Sequence, residues 1–328
     1  MSATKPKVLL FSTIQTTFID SDFKILNNLS DVKWICARGI IAVIKLNWGM
    51  LFTDIGVAWF ASVYSAFIVF FAKIFNKKSV VIVGGADVIK DPTLGYGLLL
   101  SKWKKIFVKY AIRNATDVLP TSDFLSIASI QVGQYKGDNI TVTYPGVNPS
   151  VWKQGGKRER LVLSVAHCET ADRIIIKGID LVIKIAEQMS DVQFKIIGVE
   201  PQLLSEVGIY IPDNVTIQPV VPHNLLIPEY KKASVYLQMS RIESCGIATS
   251  EAMISGCIPI VSNVGGLPET VGSTNHIVPS EDVTAAVTSI KAVLNQASEA
   301  NRNEFSKFAQ EKFSLKNRQE HFQTIIKK

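Results

Sequence analysis

The sequence predicts an α/β protein made of two Rossmann-like domains, each built on a parallel sheet. Three observations carry this. Short apolar runs, among them Lys7 to Phe11, Ser79 to Val83, Leu161 to Ala166 and Ile258 to Val261, alternate with segments whose apolar residues recur at helical spacing. Runs that are apolar throughout, rather than at every second residue, suit strands buried on both faces, as in a parallel sheet covered by helices. The alternation occurs twice, on either side of Asn148 to Arg160, a stretch rich in Gly, Pro, Lys and Arg that reads as a linker. At 328 residues the chain is long enough for two cores. The expected division is 1–150, 151–300, and a closing helical segment 301–328.

In the first half, Lys7 to Phe11 is the first strand. The loop after it reads Ser12-Thr13-Ile14-Gln15-Thr16-Thr17 instead of GxGxxG, which disfavours an ordinary dinucleotide-dependent dehydrogenase. Phe18, Ile19, Phe23, Ile25, Leu26 and Leu29 lie at helical spacing, so Phe18 to Leu29 is a helix and Val32 to Cys36 the second strand. Asp20-Ser21-Asp22 has the form of a DxD metal motif, but carboxylates at a helix start are also what capping and the helix dipole favour. Ile55 to Phe75 is the most apolar stretch, with Lys73 its only charge. It is long enough to span a bilayer; the polar Thr53-Asp54 before it and Ala61-Ser62 within it favour a strand, Ile55 to Trp59, and a helix, Ala61 to Phe75. Ser79 to Val83 ends in Gly84-Gly85-Ala86-Asp87, a loop at the carboxyl end of a strand, where α/β folds place ligands. Tyr96 to Ala115 reads as a helix in which Lys102, Lys104, Lys105, Lys109 and Arg113 interleave with Trp103, Phe107 and Tyr110. Asp117 to Pro120 is a short strand, and Ile140 to Tyr144 runs into the turn Pro145 to Asn148.

In the second half, Leu161 to Ala166 opens the new sheet. His167 to Thr170 forms its loop, and Arg173 and Lys177-Gly178 precede a helix from Ile179 to Met189. Two cations flanking a loop before a helix suit a pyrophosphate. Further strands are expected at Val192 to Gly198, Val215 to Val220, Val235 to Met239 and Ile258 to Val261. Pro222-His223-Asn224 opens the helix Leu225 to Lys232, and Glu299 to Ile326 carries apolar residues at helical spacing.

Apolar residues make up 47% of the chain and the formal charge is +7, which favours an anionic partner: nucleic acid, a nucleotide sugar or an anionic membrane surface. The basic residues form no recognisable nucleic-acid module. Cys36, Cys168, Cys245 and Cys257 show neither metal-ligand spacing nor a disulfide framework. With an opening apolar run too short for a secretory leader, the expected setting is the cytoplasm, with possible peripheral contact to a membrane.

The chemistry concentrates in Ser240 to Val271. Glu243 precedes the small-residue loop Ser244-Cys245-Gly246, and Ile247 to Ser255 is a helix carrying Glu251, stopped by Gly256. A helix starting at Gly246 presents unpaired N–H groups and its positive dipole end, and the glycine lets an anion approach the backbone. Glu251, further along the helix, can accept hydrogen bonds from a ribose diol. One loop and one helix thus suit a sugar beside Glu243, phosphates in the middle and ribose beside Glu251.

The two glutamates separated by seven residues, with Glu-Ala-Met at 251–253, Gly256, the Pro-Ile-Val run at 259–261 and Gly265-Gly266-Leu267-Pro268-Glu269, resemble the donor-site motif of retaining GT-B glycosyltransferases of family 4. The resemblance is strong from about residue 160 to 290 and weak before that. It implies the GT-B fold, with two Rossmann-like domains facing across a cleft and the last helix crossing back onto the first. It implies transfer of a sugar from a nucleotide diphosphate sugar to an acceptor such as a glycan, with retention of configuration and neither metal nor cofactor. The positive net charge, the cations and aromatics from Lys102 to Arg113 and the apolar stretch Ile55 to Phe75 point to an anionic membrane surface and a lipid-linked acceptor. Lys177 and Arg173 would then neutralise the leaving diphosphate, Gly246 and Ile247 would donate backbone N–H groups to it, Glu251 would hold the ribose, and Glu243 would face the donor sugar. The acceptor would lie on the first domain. Where many members carry a histidine, this chain has Gly84-Gly85-Ala86-Asp87, which makes Asp87 the candidate to meet donor sugar or acceptor hydroxyl. The offset from Arg173 to Lys177 is four, where the family usually has five. A nucleotide-sugar epimerase or sugar phosphorylase of the same architecture and a non-catalytic nucleotide-sugar-binding subunit remain alternatives.

Overall fold

The computed structural model describes residues 5–296 and 298–327. The chain divides into two compact units: Met1–Gly146 with Leu315–Lys328, and Val147–Ser314. The divisions therefore fall at Gly146 and Ser314, where the sequence suggested 150 and 300.

The first unit runs β1 (Lys7–Ser12), α1 (Thr17–Leu29), β2 (Asp31–Cys36), α2 (Gly39–Leu51), β3 (Ile55–Trp59), α3 (Val63–Ile74), β4 (Lys78–Val83), α4 (Lys102–Asn114), β5 (Asp117–Pro120) and α5 (Asp123–Gly133). Its strands form a parallel sheet in the order β2-β1-β3-β4-β5. Side chains alternate between the faces, as the two-residue strand period requires. Val8, Leu10, Val80 and Ile82 pack with α1 residues Ile19 and Leu26, while Leu9 and Phe11 pack with Ala42, Leu46 and Met50 of α2 and Ile68 of α3. Val81 and Val83 meet Val108 and Ala111 of α4 and Leu125 of α5.

Ile55 to Phe75 resolves into a buried strand and a helix, and no helix among the described residues is long and apolar enough to cross a membrane. The spanning alternative is thereby corrected. A capping box at Ser62, whose side chain accepts from Ser65 N while Ser65 Oγ accepts from Ser62 N, starts α3 where Ala61-Ser62 indicated. The helix expected from Tyr96 begins only at Lys102. Gly97 is the reason: with φ 104° its Cα sits against the Ile89 carbonyl, where a Cβ would come within 2.0 Å of the oxygen, so the chain there is a tight turn. Ile140 to Tyr144 forms no regular strand; it lies along β5 through an isolated bridge from Ile140 to Val118, with Thr141 N donating to the Val118 carbonyl and Thr143 N to the Pro120 carbonyl. α2 and α5 are additions to the sequence reading.

The second unit runs β6 (Glu159–Cys168), α6 (Ala171–Ile176), α7 (Ile179–Glu187), β7 (Gln193–Val199), α8 (Pro201–Glu206), β8 (Val215–Gln218), α9 (Leu226–Lys232), β9 (Ala233–Gln238), α10 (Ile247–Ile254), β10 (Ile258–Ser262), α11 (Leu267–Val271), β11 (Ile277–Val278), α12 (Val283–Gln296) and α13 (Glu299–Lys312). Its parallel sheet has the order β11-β10-β9-β6-β7-β8. Strand order reverses between β6 and β9, which opens a crevice at their carboxyl ends. The presumed linker is partly structural. Trp152 is buried, its ring 4.8 Å from that of His223 and 5.6 Å from that of Tyr230. Arg158 donates to the Tyr230 and Ala233 carbonyls at 2.6 and 2.8 Å.

The segment 299–326 is two helices, α13 and α14 (Leu315–Lys327), and only α14 joins the first unit. Arg318 fixes it there. Its guanidinium meets both oxygens of Asp22, with Nη2 to Oδ2 at 2.6 Å, and donates to the Thr143 and Tyr144 carbonyls. Both side chains are almost fully buried, and Trp59 Nε1 donates to Asp22 at 2.9 Å. Asp22 is thus the counter-ion of α14, while Asp20 accepts from Gln15 at the start of α1.

Candidate donor-binding site

Two loops meet in the crevice of the second unit. One follows β6 and carries Arg173 and Lys177; the other follows β9 and carries Glu243 and Gly246. Lys177 Nζ lies 2.8 Å from Glu243 Oε2, with both side chains largely buried. Gln238, the last residue of β9, donates to the same oxygen at 2.5 Å, and Ser244 N donates to Oε1 at 3.1 Å. Burial alone lifts the Glu243 carboxyl; the Lys177 charge and hydrogen bond, the Ser244 N–H and the Arg173 charge together outweigh it and hold the group below its ordinary value. Arg173 sits on α6, half-buried, without an ion-pair partner among the described residues.

Backbone packing fixes these charges in place. Gly178, after Lys177, has φ 65°, and a Cβ there would fall 1.9 Å from the Met239 carbonyl oxygen, so α6 and α7 join flush against the end of β9. A Cβ on Gly265 would fall 1.8 Å from the Glu243 carbonyl oxygen, and one on Gly266 2.2 Å from that of Ser244. The Gly265-Gly266 turn therefore lies directly on the Glu243 loop, and Gly266 N donates to Glu243 O at 3.2 Å. Arg241 staples the same loop from the other side. Its guanidinium pairs with both Asp180 oxygens at 2.7 and 2.8 Å, donates to the Ile175 carbonyl, and reaches Glu281.

Gly246, in the left-handed region with φ 71°, begins α10, and no side chain caps the helix. The first N–H groups, Ile247 among them, lack intrahelical acceptors. Thr249 Oγ1 donates to Gln238 Oε1 at 2.7 Å, so the first turn of α10 is tied through Gln238 to Glu243. Glu251 lies in the second turn, buried, with Oε1 2.8 Å from His223 Nε2. Burial lifts the Glu251 carboxyl above its ordinary value, opposed in part by His223. The hydrogen bond to Glu251 raises the His223 imidazole, and burial offsets part of that.

The structure thus sets Lys177 against Glu243, with the Arg173 charge acting on the same carboxylate, and places Gly246 and Ile247 at the start of the helix that carries Glu251 in its second turn. Asp87 belongs to the other unit and is corrected in character. Its carboxylate is fully buried and accepts from Ala61 N at 2.8 Å, Gly85 N at 2.7 Å and Gly84 N at 3.3 Å. It clamps the ends of β3 and β4 together, with no oxygen turned to solvent. Burial still raises its carboxyl above the ordinary value. The sequence reading missed the supporting partners: Gln238, Arg241, and His223 as the companion of Glu251. Gln238 could have been suspected, being polar at the carboxyl end of a buried strand. The others meet their partners across long sequence separations and left no signal.

Residues 154–312 match the family described as glycosyl transferases group 1. Among curated relatives, glycogen synthase 1 of Synechocystis sp. is 39% identical over 103 residues, which is 29% of this chain and 21% of that protein. Glycogen synthase of Petrotoga mobilis is 30% identical over 105 residues, 30% of this chain and 22% of that protein. The match therefore spans about a fifth of the length of these relatives. Among solved structures, Anabaena Alr3699/HepE in complex with UDP and glucose aligns with a TM-score of 0.77 at 15% identity, covering 98% of this chain and 99% of that one. Sucrose-phosphate synthase from Thermosynechococcus elongatus aligns with a TM-score of 0.76 at 16% identity, covering 98% of both chains. The fold is that of the GT-B glycosyltransferases, two Rossmann-like α/β units.

Proposed function

We propose that this chain is a retaining glycosyltransferase that takes its donor, a nucleotide diphosphate sugar, on the second unit. The observation that carries the reading is the convergence of Lys177, Arg173, Glu243 and the uncapped start of α10 at the switch point between β6 and β9. When the glycosidic bond to the diphosphate breaks, negative charge grows on the leaving phosphate. Lys177 and Arg173 supply opposite charge, and the N–H groups at Gly246 and Ile247 supply fixed dipoles, so stabilisation is organised before the reaction begins. Without donor, Lys177 is held by Glu243. With donor, the lysine is shared with the phosphate, and Glu243 is left to accept from the sugar hydroxyls. Glu251 binds the ribose diol, oriented by His223. No metal or cofactor takes part in this reading, because the chain's own cations meet the leaving group. The acceptor, a glycan or lipid-linked glycan, is assigned to the first unit on resemblance.

UDP-glucose is the first donor to try, since the HepE protein was solved with UDP and glucose. Incubation with a glucan or lipid-linked oligosaccharide and proton NMR of the new anomeric signal is expected to show retained configuration, at a rate unchanged by excess chelator. An inverted product contradicts the retaining mechanism. Activity abolished by chelator and restored by magnesium contradicts the metal-free one. Donor consumed to an isomer with no acceptor present turns the reading to an epimerase.

A further inference from the structure

The first unit carries a surface that the donor site does not use. α2 carries apolar residues on its outer side as well as its inner side, with Lys45 its only charge. Ala42, Leu46 and Met50 face the sheet, and on the outside Ile40, Ile44, Trp48 and Phe52 are exposed by 73, 63, 63 and 61%. An ordinary surface helix places polar residues there. α2 packs against α3 and α3 against α4, so the outer sides of the three helices adjoin. α3 adds exposed Phe70 and Ile74, and α4 adds exposed Trp103 and Ile106. These helices contain no Asp or Glu; their charged residues are Lys45, Lys73, Lys102, Lys104, Lys105, Lys109 and Arg113. Lys104 Nζ lies 5.8 Å from the Trp103 ring centroid.

We propose that the outer face of α2, α3 and α4 docks on an anionic lipid bilayer, with Ile40, Ile44 and Trp48 of α2 and Phe52 just after it seated among the headgroups and the cations of α4 against the lipid phosphates. A large exposed apolar patch marks an interaction surface. Its aromatic residues and the carboxylate-free run of cations fit the bilayer boundary, where tryptophan prefers the headgroup level and basic residues meet negative potential. Self-association of this face would set like charges against each other in a two-fold pair, which argues against a second copy as its occupant. The surface belongs to the first unit and the donor crevice to the second, so its failure would leave the donor site untouched. It deepens the proposed function by placing the acceptor's source at a membrane.

The full chain is mixed with phosphatidylcholine vesicles with and without phosphatidylglycerol, and floated at low and high salt. Binding is expected to anionic vesicles only and to fall with salt. Brominated lipid should quench tryptophan fluorescence, and replacing Trp48 and Trp103 by Phe should remove most of the quenching. Lys102→Glu with Lys104→Glu and Lys105→Glu should cut partitioning by about 100-fold, at about fivefold or more for each cation lost. Ile44→Ser with Trp48→Ser should weaken binding that salt does not reach. All variants should keep the wild-type melting temperature and its rise with nucleoside diphosphate, which separates this surface from the donor site. Equal recovery in the soluble fraction with both vesicle types at low salt overturns the proposal. So does a dimer in sedimentation velocity that Trp48→Ser dissolves, which would assign the face to a second copy.

Discussion

The two units share a parallel sheet with a reversal of strand order, but they treat the carboxyl ends of their strands differently. In the second unit the loops after β6 and β9 bring unlike charges to a crevice rim, with Lys177 and Glu243 at 2.8 Å and the start of α10 beside them. In the first unit the carboxylate at the corresponding kind of place, Asp87, is consumed by three backbone N–H groups. The other buried carboxylate of that unit, Asp22, is neutralised by Arg318. One unit therefore keeps its charges where a ligand can compete for them, and the other uses its charges to hold loops and a returning helix. A shared architecture positions loops; which groups those loops leave unspent decides which unit is equipped to hold an anion.

The largest test of this contrast is Arg318→Ala. It leaves Asp22 buried without its counter-ion and should cost about 3–5 kcal/mol in denaturant unfolding. Nucleotide affinity at the second unit should change little. Unchanged stability would show that Asp22 is not the structural charge described. Next is Lys177→Met, which removes a charged hydrogen-bond donor from the donor site and should weaken nucleoside diphosphate binding by about 1.5–3 kcal/mol by titration calorimetry. It should also change acid sensitivity. The Glu243 carboxyl is held below its ordinary value, so its pairing adds stability above the unfolded carboxylate pKa and loses it as pH falls through the lower folded value. The melting-temperature gap between wild type and Lys177→Met should therefore be wide at neutral pH and close in acid. A gap that is constant with pH would break the assignment.

Glu251→Ala should weaken the same binding by about 1–3 kcal/mol through unpaired ribose hydroxyls. Unchanged affinity would remove Glu251 as the ribose ligand. The smallest effect is expected from His223→Asn. The imidazole is raised above its ordinary value by Glu251, so its contribution is full below the unfolded histidine pKa and fades as pH rises through the raised folded value. Melting temperatures of the variant and wild type should converge as pH is taken from 6 to 8. A gap that widens over this range would contradict the pairing.

Most of the sheet and much of the site were legible because the signals were local. Buried strands such as Ser79 to Val83 announce themselves as β-branched runs, and the string from Glu243 to Glu269 packs loop, helix start, strand and turn into one stretch. What stayed hidden depended on distance in the chain or on the absence of a pattern. α2 has apolar residues on all sides, so no period separates its inner from its outer face. Asp22 looked like half of a metal motif because its partner, Arg318, lies 296 residues away. The extra length assigned to α4 came from apolar residues on both sides of Gly97, whose packing on the Ile89 carbonyl appears only in three dimensions. Asp87 stood in a ligand-bearing type of loop, but the same loop geometry lets a short carboxylate cap its own backbone.

On the proposed reading the crevice of the second unit binds a nucleoside diphosphate. The most direct measurement is the melting temperature of the full chain with UDP, ADP, uridine and adenosine, in wild type and Lys177→Met. A ligand bound only by the folded state at 100 times its Kd adds about 2.7 kcal/mol. A diphosphate should raise the wild-type melting temperature, the matching nucleoside should not, and the rise should shrink in Lys177→Met. If neither diphosphate shifts the wild type, or if the variant responds as fully as wild type, the gathering of Lys177, Glu243 and α10 is not a donor site.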